Sequence, residues 1–190
     1  LSLSLDVGYE RWQMFTVTWL GYAGFYLTRK SFSIAKTGMG EGTEVGLLDT
    51  DMAWIDMGYL IAYAIGQFIW GITSDKVGPR KVLLGGMLIS ILTGVAMGVS
   101  TLPLAMGVFY FIQGLCQSTG WAPLTKNVSN FFSQRERGTI MGMWCTNYAV
   151  GGVVASALAA WAATQWGYQY AFFVPAGVLL CIWFLFVFCQ

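Results

Sequence analysis

No histidine occurs among the 190 residues. That removes Ser-His-Asp, Cys-His and histidine–metal chemistry together, and no catalytic residue, metal site or cofactor is expected. Charge is scarce as well. Asp, Glu, Lys and Arg make up 10% of the chain, against roughly 25% in a soluble domain. A soluble fold of this size needs more charge to cover its surface, so much of the exterior faces something other than water. Lipid is the simplest candidate. The net charge of +1 gives neither the basic field of a nucleic-acid binder nor an acidic solvated tail, so no nucleic acid is expected as a partner. The four cysteines, Cys116, Cys145, Cys181 and Cys189, lie in apolar stretches without C-x-x-C spacing and read as small buried hydrophobes. The start, LSLSLDVGYERW, has no charged region followed by an apolar core, so no cleavable signal peptide is expected.

What is abundant is apolar length: 56% of the residues are hydrophobic. A helix crossing a ~30 Å hydrocarbon core needs about 20 apolar residues. Six candidate spans meet this, at 12–35, 51–73, 82–99, 103–128, 139–164 and 169–189. The expected fold is an all-α integral membrane bundle of six transmembrane helices over residues 1–190. A transmembrane barrel would alternate apolar and polar residues, and stretches such as VLLGGMLISILTGVAMGV do not. Ser100-Thr101-Leu102-Pro103 is a short break. Ser133–Gly138 reads as a polar loop, and Gln165–Gln169 as an interfacial turn whose aromatics suit the headgroup layer. Tyr9 and Trp12 are candidate anchors at the other end of the first span. The 24 glycines fall largely inside spans, where small residues let membrane helices approach closely.

Lys and Arg set the orientation. Lys76, Arg80 and Lys81 follow the second span. Arg135 and Arg137 follow the fourth, with Lys126 nearby. The segment after the first span sets Lys36 against Glu41, Glu44, Asp49 and Asp51, and the loop after the third carries no charge. Both termini are therefore expected on the cytoplasmic side.

Arg29 and Lys30 fall in the last third of the first span. A charge deep in a bilayer costs at least ~2.5 kcal/mol on insertion scales and is usually paired or functional; the bland alternative is snorkelling to the outer headgroups. Two points favour function. Positive charge at an outer end runs against the orientation rule. Tyr22, Tyr26 and Arg29 also stand at i, i+4 and i+7, on one helix face, with Lys30 beside it. Two phenols in line with a guanidinium suit an anion, which Arg can grip with two parallel hydrogen bonds.

Similar polar stripes occur elsewhere: Tyr63 and Gln67 in the second span, Gln113, Gln117 and Trp121 in the fourth, and Trp144, Asn147 and Tyr148 in the fifth. Singly, such residues often just bond neighbouring helices. Together they suggest a polar cavity. Asp56 reads as an interfacial residue unless a partner exists.

The stretch GITSDKVGPRK (71–81) places Asp75 at the carboxyl end of a helix, where the dipole disfavours an anion. It needs a partner, such as Arg80, Lys81 or the amino end of another helix. Gly78 and Pro79 make a tight turn into the third span. The charged turn reads as a latch at the cytoplasmic mouth, and Arg135 and Arg137 complete the candidate gate.

This stretch resembles the signature of the major facilitator superfamily, Gly-x-x-x-Asp-(basic)-x-Gly-x-(Arg/Lys)-(Arg/Lys), filled here by Gly71, Asp75, Lys76, Gly78, Arg80 and Lys81. More narrowly, GYAGFYLTRKSFSIAK (21–36), YLIAYAIGQFIWGITSD (59–75), GLCQSTGWAP (114–123) and FFSQRERGTIMGMW (131–144) are similar to the organophosphate:phosphate antiporters. The resemblance implies two six-helix halves around a central site, of which this chain matches the amino-terminal one. The carboxyl-terminal half would then be its partner, together with organic phosphate, inorganic phosphate and the bilayer. It also implies a phosphate-binding role for Arg29, with Lys30 beside it and Tyr22, Tyr26 and Tyr63 lining the pore.

Two positions depart from the bacterial glycerol-3-phosphate and hexose-phosphate carriers: Gln67 stands where they have Lys, and Tyr148 where they have His. Both changes remove potential positive charge. The resemblance therefore leaves three readings open: an antiporter of the bacterial inner membrane exchanging an organic phosphate for inorganic phosphate, a transporter-like sensor of hexose phosphate, and a carrier of another organic anion.

Overall fold

The computed structural model describes the backbone of residues 2–43 and 45–189, and the side chains of residues 10–43 and 45–188. Tyr9, Glu44 and Cys189, as side chains, lie outside that set. Among the described residues the fold is all-helical. The α-helices are α1 (Ser2–Ala35), α2 (Asp49–Val77), α3 (Pro79–Val99), α4 (Pro103–Gln117), α5 (Trp121–Phe131), α6 (Gln134–Trp144), α7 (Thr146–Trp166) and α8 (Tyr170–Cys189), with a 3-10 turn at Lys36–Gly38.

Several breaks fall where turn chemistry requires them. Gly78 closes α2 and opens α3 with φ +96°, a left-handed conformation that glycine adopts without strain. Pro79 follows at the first helical position, where its missing N–H is no loss. Gly167, at φ +103°, separates α7 from α8. Around it Trp161 meets Trp166 edge to face at 5.0 Å, and Trp166 meets Tyr170 at a tilt, with centroids 5.6 Å apart.

Other boundaries differ from the sequence reading. The expected span 103–128 is divided. Ser118 Oγ donates to the Leu115 carbonyl at 2.6 Å and Thr119 Oγ1 to that of Cys116 at 2.7 Å; these local bonds compete with the helical ladder, and α4 ends there. The expected 139–164 is likewise parted at Cys145. Ser133–Gly138 is not a loop: α6 begins at Gln134. Ser133 Oγ bonds Glu136 Oε2 at 2.6 Å, and the Ser133 carbonyl takes the Arg137 amide at 2.9 Å. The Ser-x-x-Glu spacing is a helix-start signal.

By length and composition, four stretches among the described residues can cross a membrane: Asp49–Val77, Pro79–Val99, Arg137–Trp166 and Tyr170–Phe188. The first expected span lies inside α1 but is diluted by its Thr and Tyr residues and by Arg29 and Lys30.

α1 packs on α7 and α8, α2 on α4, and α3 joins α4 to α8. Glycines set the closest approaches. A methyl group on Gly114 would lie 2.6 Å from the Tyr59 carbonyl, and one on Gly86 2.7 Å from that of Cys116. Two buried clusters result. One holds Tyr22, Phe25, Leu83, Met87, Leu124 and Trp144. The other holds Phe32, Met52, Tyr59, Met97, Met106 and Tyr110. Outward, Phe68, Leu104, Val153 and Phe188 are more than two-thirds exposed, an apolar exterior suited to lipid. Of the cysteines, Cys116 is buried as expected, whereas Cys181 is exposed; it sits on the outward face of α8.

Candidate functional site: a buried arginine among tyrosines

Where the two clusters meet, α1 turns Arg29 toward α2 and α4. Its guanidinium carbon stands 4.7 Å from the Tyr26 ring centre, 4.6 Å from that of Tyr63 and 5.7 Å from that of Tyr59. A cation over an aromatic face is stabilised by up to about 2 kcal/mol when water is excluded. Nε donates to Gln117 Oε1 at 3.1 Å. The same oxygen accepts the Tyr59 hydroxyl at 2.7 Å, and Gln117 Nε2 donates to Thr28 Oγ1 at 2.9 Å. The Tyr110 hydroxyl reaches the Arg29 carbonyl at 3.3 Å. Arg29 Nη2, however, is buried and has no partner, and no carboxylate pairs with Arg29 among the described residues. A buried guanidinium with a free donor is costly unless an anion meets it.

The other expected site residues divide. Tyr22 and Tyr63 place their hydroxyls 3.5 Å apart. Trp121 packs 5.4 Å from Tyr22 and 5.8 Å from Trp144, while Trp144 is wholly buried and bonds Thr18 through its indole N–H at 3.2 Å. Lys30 lies beside Gly152 of α7. Gln67 is half-buried, and among the described residues no side-chain hydrogen bond joins it to Arg29. Asn147 is wholly buried with both amide atoms unpartnered, as is Gln113. Tyr148, next in sequence, is half exposed: one residue turns ~100° around a helix, so it does not share the inward direction of Asn147.

The charges of the expected gate pair differently from the expectation. Asp75 pairs with Lys126 of α5, not with Arg80 or Lys81. Arg80 instead donates to the Val187 carbonyl near the end of α8, at 2.8 Å, where a cation complements the helix dipole. Lys81 is exposed. Ser74, Asp75, Gly78, Lys126, Asn127 and Asn130 surround a small cleft of about 200 Å³. Arg135 and Arg137 are exposed and unpaired among the described residues; Glu136 between them bonds Arg11 at 2.8 Å. At the opposite end Asp56 has a partner, Lys36.

The Major Facilitator Superfamily model matches residues 18–189. The chain belongs to this superfamily. It is therefore an integral membrane protein of a transporter family, not an enzyme. It is 31% identical to a probable hexose phosphate transport protein of Chlamydia trachomatis, over 94% of this chain and 39% of that protein. To the glycerol-3-phosphate transporter of Bacillus subtilis it is 32% identical, over 96% and 42%. To the glucose-6-phosphate exchanger SLC37A1 of Mus musculus the figures are 30%, 97% and 43%. The chain thus spans about two-fifths of the length of these curated relatives. The facilitator proton:xylose symporter XylE, solved with 6-bromo-6-deoxy-D-glucose, shares the fold with a TM-score of 0.79 at 13% identity, over 95% of this chain and 45% of that one.

In this facilitator-superfamily chain, Tyr59, Thr28 and Tyr110 belong to the arginine's surroundings but were not singled out by sequence. Tyr59 stands one turn before Tyr63, so extending that polar stripe by a turn would have found it, whereas Thr28 adjoins Arg29 off the stripe. Tyr110, one turn before Gln113, extends the α4 stripe in the same way.

Proposed function

We propose that this chain is the amino-terminal half of a carrier exchanging an organic phosphate, such as a sugar phosphate or glycerol-3-phosphate, for inorganic phosphate. One observation carries the reading: Arg29 Nη2 is buried without a partner, among phenols and an amide rather than carboxylates. The names of the relatives from C. trachomatis and B. subtilis support the substrate class.

In this reading α1, α2, α3, α4 with α5, α6 with α7, and α8 make six spans in the bacterial inner membrane, with both ends of the chain cytoplasmic. Arg29 takes the phosphoryl group, with Lys30, Tyr22, Tyr26, Tyr63 and Trp121 around it, and a carboxyl-terminal half closes the other side. A bilayer-buried cation resists leaving an open, wet site for a closed, dry one. An anion neutralises it and lowers the cost of rocking between the two faces. Exchange follows, because the emptied site needs a new anion before it returns. The Asp75–Lys126 pair serves as the latch.

The test is phosphate exchange by the full-length protein in liposomes. Arg29→Lys and Arg29→Ala are expected to abolish it. Unchanged exchange in either variant removes the assigned role. Binding of hexose phosphate without flux would instead mark a sensor, and failure of phosphate to compete with another anion a different carrier.

A further inference from the structure

Gly151 and Gly152 are adjacent on α7 and serve different ends. A methyl group on Gly151 would lie 3.0 Å from Ala23 Cα and 3.1 Å from the Ala23 carbonyl oxygen. These are backbone atoms, which cannot step aside, so Gly151 is where α7 comes closest to α1. A methyl on Gly152 would meet only Tyr26 Cδ1 and Lys30 Cε within 4 Å, each at 3.9 Å. Both are ordinary contacts. Packing among the described residues therefore accepts a side chain at this position, although glycine is the weaker helix former.

The neighbours of Gly152 belong to the arginine site. The Tyr26 ring centre also lies 4.7 Å from the Arg29 guanidinium, so one phenol serves both. Lys30 forms no ion pair among the described residues. Tyr148 stands one turn before Gly152 on the same face of α7 and is half exposed. Other glycines are open as well, Gly71, Gly85 and Gly177 among them, but no side chain of the arginine site comes within 4 Å of those. The space over Gly152 is thus bounded by a phenol, an ammonium stem and, one turn away, a second phenol. Aromatic faces with a few polar groups suit a small organic ligand, and phenols and an ammonium can donate to its hydroxyls.

We infer that Gly152 sets the size of the organic group that the site accepts. With the phosphoryl group at Arg29, the sugar of a hexose phosphate extends past Tyr26 into the space over Gly152. The inference rests on the phosphate reading and deepens it, by naming hexose phosphate over glycerol 3-phosphate as the substrate class. A side chain at Gly152 meets the organic part of the substrate and not its phosphoryl group, so substrates are lost in order of size.

The test uses the full-length protein in liposomes, with Gly152→Ala and Gly152→Leu as a graded series. Internal phosphate is exchanged for external glucose 6-phosphate, glycerol 3-phosphate or labelled phosphate, and phosphate self-exchange is the reference. The ratio of glucose 6-phosphate exchange to that reference is expected to fall about tenfold or more in Gly152→Leu, the range of a misfit in a binding pocket. A smaller fall is expected in Gly152→Ala, and a smaller one for glycerol 3-phosphate than for glucose 6-phosphate. If the leucine variant fails to fold, the alanine variant, whose methyl makes only ordinary contacts, still decides. A ratio unchanged across the series overturns the inference and leaves the phosphate reading standing. So does a parent protein that exchanges glycerol 3-phosphate but not glucose 6-phosphate. Equal loss of all three exchanges overturns it too, because Gly152 then packs against the carboxyl-terminal half. A parent protein without phosphate self-exchange removes both readings.

Discussion

The amide oxygen of Gln117 lies 3.1 Å from Arg29 Nε and 2.7 Å from the Tyr59 hydroxyl. One acceptor thus orients a cation from α1 and a phenol from α2, while Gln117 Nε2 returns to Thr28 of α1. The arginine is held at Nε, which leaves Nη2 free of protein partners.

Gln117→Leu removes the acceptor of Arg29 Nε and the Tyr59 hydroxyl, and the donor to Thr28 Oγ1. A loss of about 1–3 kcal/mol in stability is expected, read as a lowered Tm of the purified protein. Gln117→Glu sets a carboxylate against the guanidinium and is expected to abolish phosphate binding by calorimetry. Binding retained in the glutamate variant would show that Gln117 does not control the arginine.

Gly114→Ala tests whether the α2–α4 approach sets the site. The added methyl meets the Tyr59 carbonyl at 2.6 Å, so the helices must part. Overpacking of this kind costs about 1–3 kcal/mol. Because Tyr59 moves with the backbone, thermal stability and phosphate exchange are expected to fall together.

The Asp75–Lys126 pair is exposed, and breaking it is expected to change stability by no more than about 1 kcal/mol. Its effect should appear in rate. Asp75→Lys and Lys126→Asp are each expected to slow exchange in liposomes, and the double exchange to restore it. Arg80→Ala, which touches α8 instead, is not expected to be rescued by any change at Asp75.

Acid should loosen the start of α6. The Glu136 carboxyl is held below its ordinary value by the Ser133 hydroxyl first and by Arg11 next. A depressed carboxyl contributes stability that is present above the unfolded value, near 4.3, and is lost as pH falls through the folded one. Hydrogen exchange at α6 is expected to quicken as pH falls through and below that range, after correction for intrinsic rates. Glu136→Gln should remove the pH dependence.

Much of the helical outline is legible because Pro, Gly and charge punctuate it: Ser100–Leu102, Gly78-Pro79 and Gly167 all mark real boundaries. Ser133–Gly138 misleads because its polarity outweighs its Ser-x-x-Glu helix start. The arginine face is legible for the same reason as the helix, since Tyr22, Tyr26 and Arg29 obey one period. The partner of Asp75 is not, because Lys126 lies 51 residues away and only the packing of α5 against α2 brings it close. Asn147 and Tyr148 differ by a single step of helical phase: Asn147 is wholly buried, whereas Tyr148 is half exposed, one turn before Gly152, which lies beside Tyr26 and Lys30.

Trp121 stands at the edge of this arrangement, about one-third exposed, with Tyr22 and the buried Trp144 both within 6 Å. Trp144 is shielded from solvent and hydrogen-bonded, and it too packs on Tyr22, with ring centres 5.5 Å apart. Trp121 is not shielded: displaced solvent or a shifted Tyr22 alters its surroundings at once. In the proposed carrier, Trp121 is therefore expected to report occupancy without a label. Trp121→Phe gives the control: it retains the other eight tryptophans, and the difference between the two proteins is the signal.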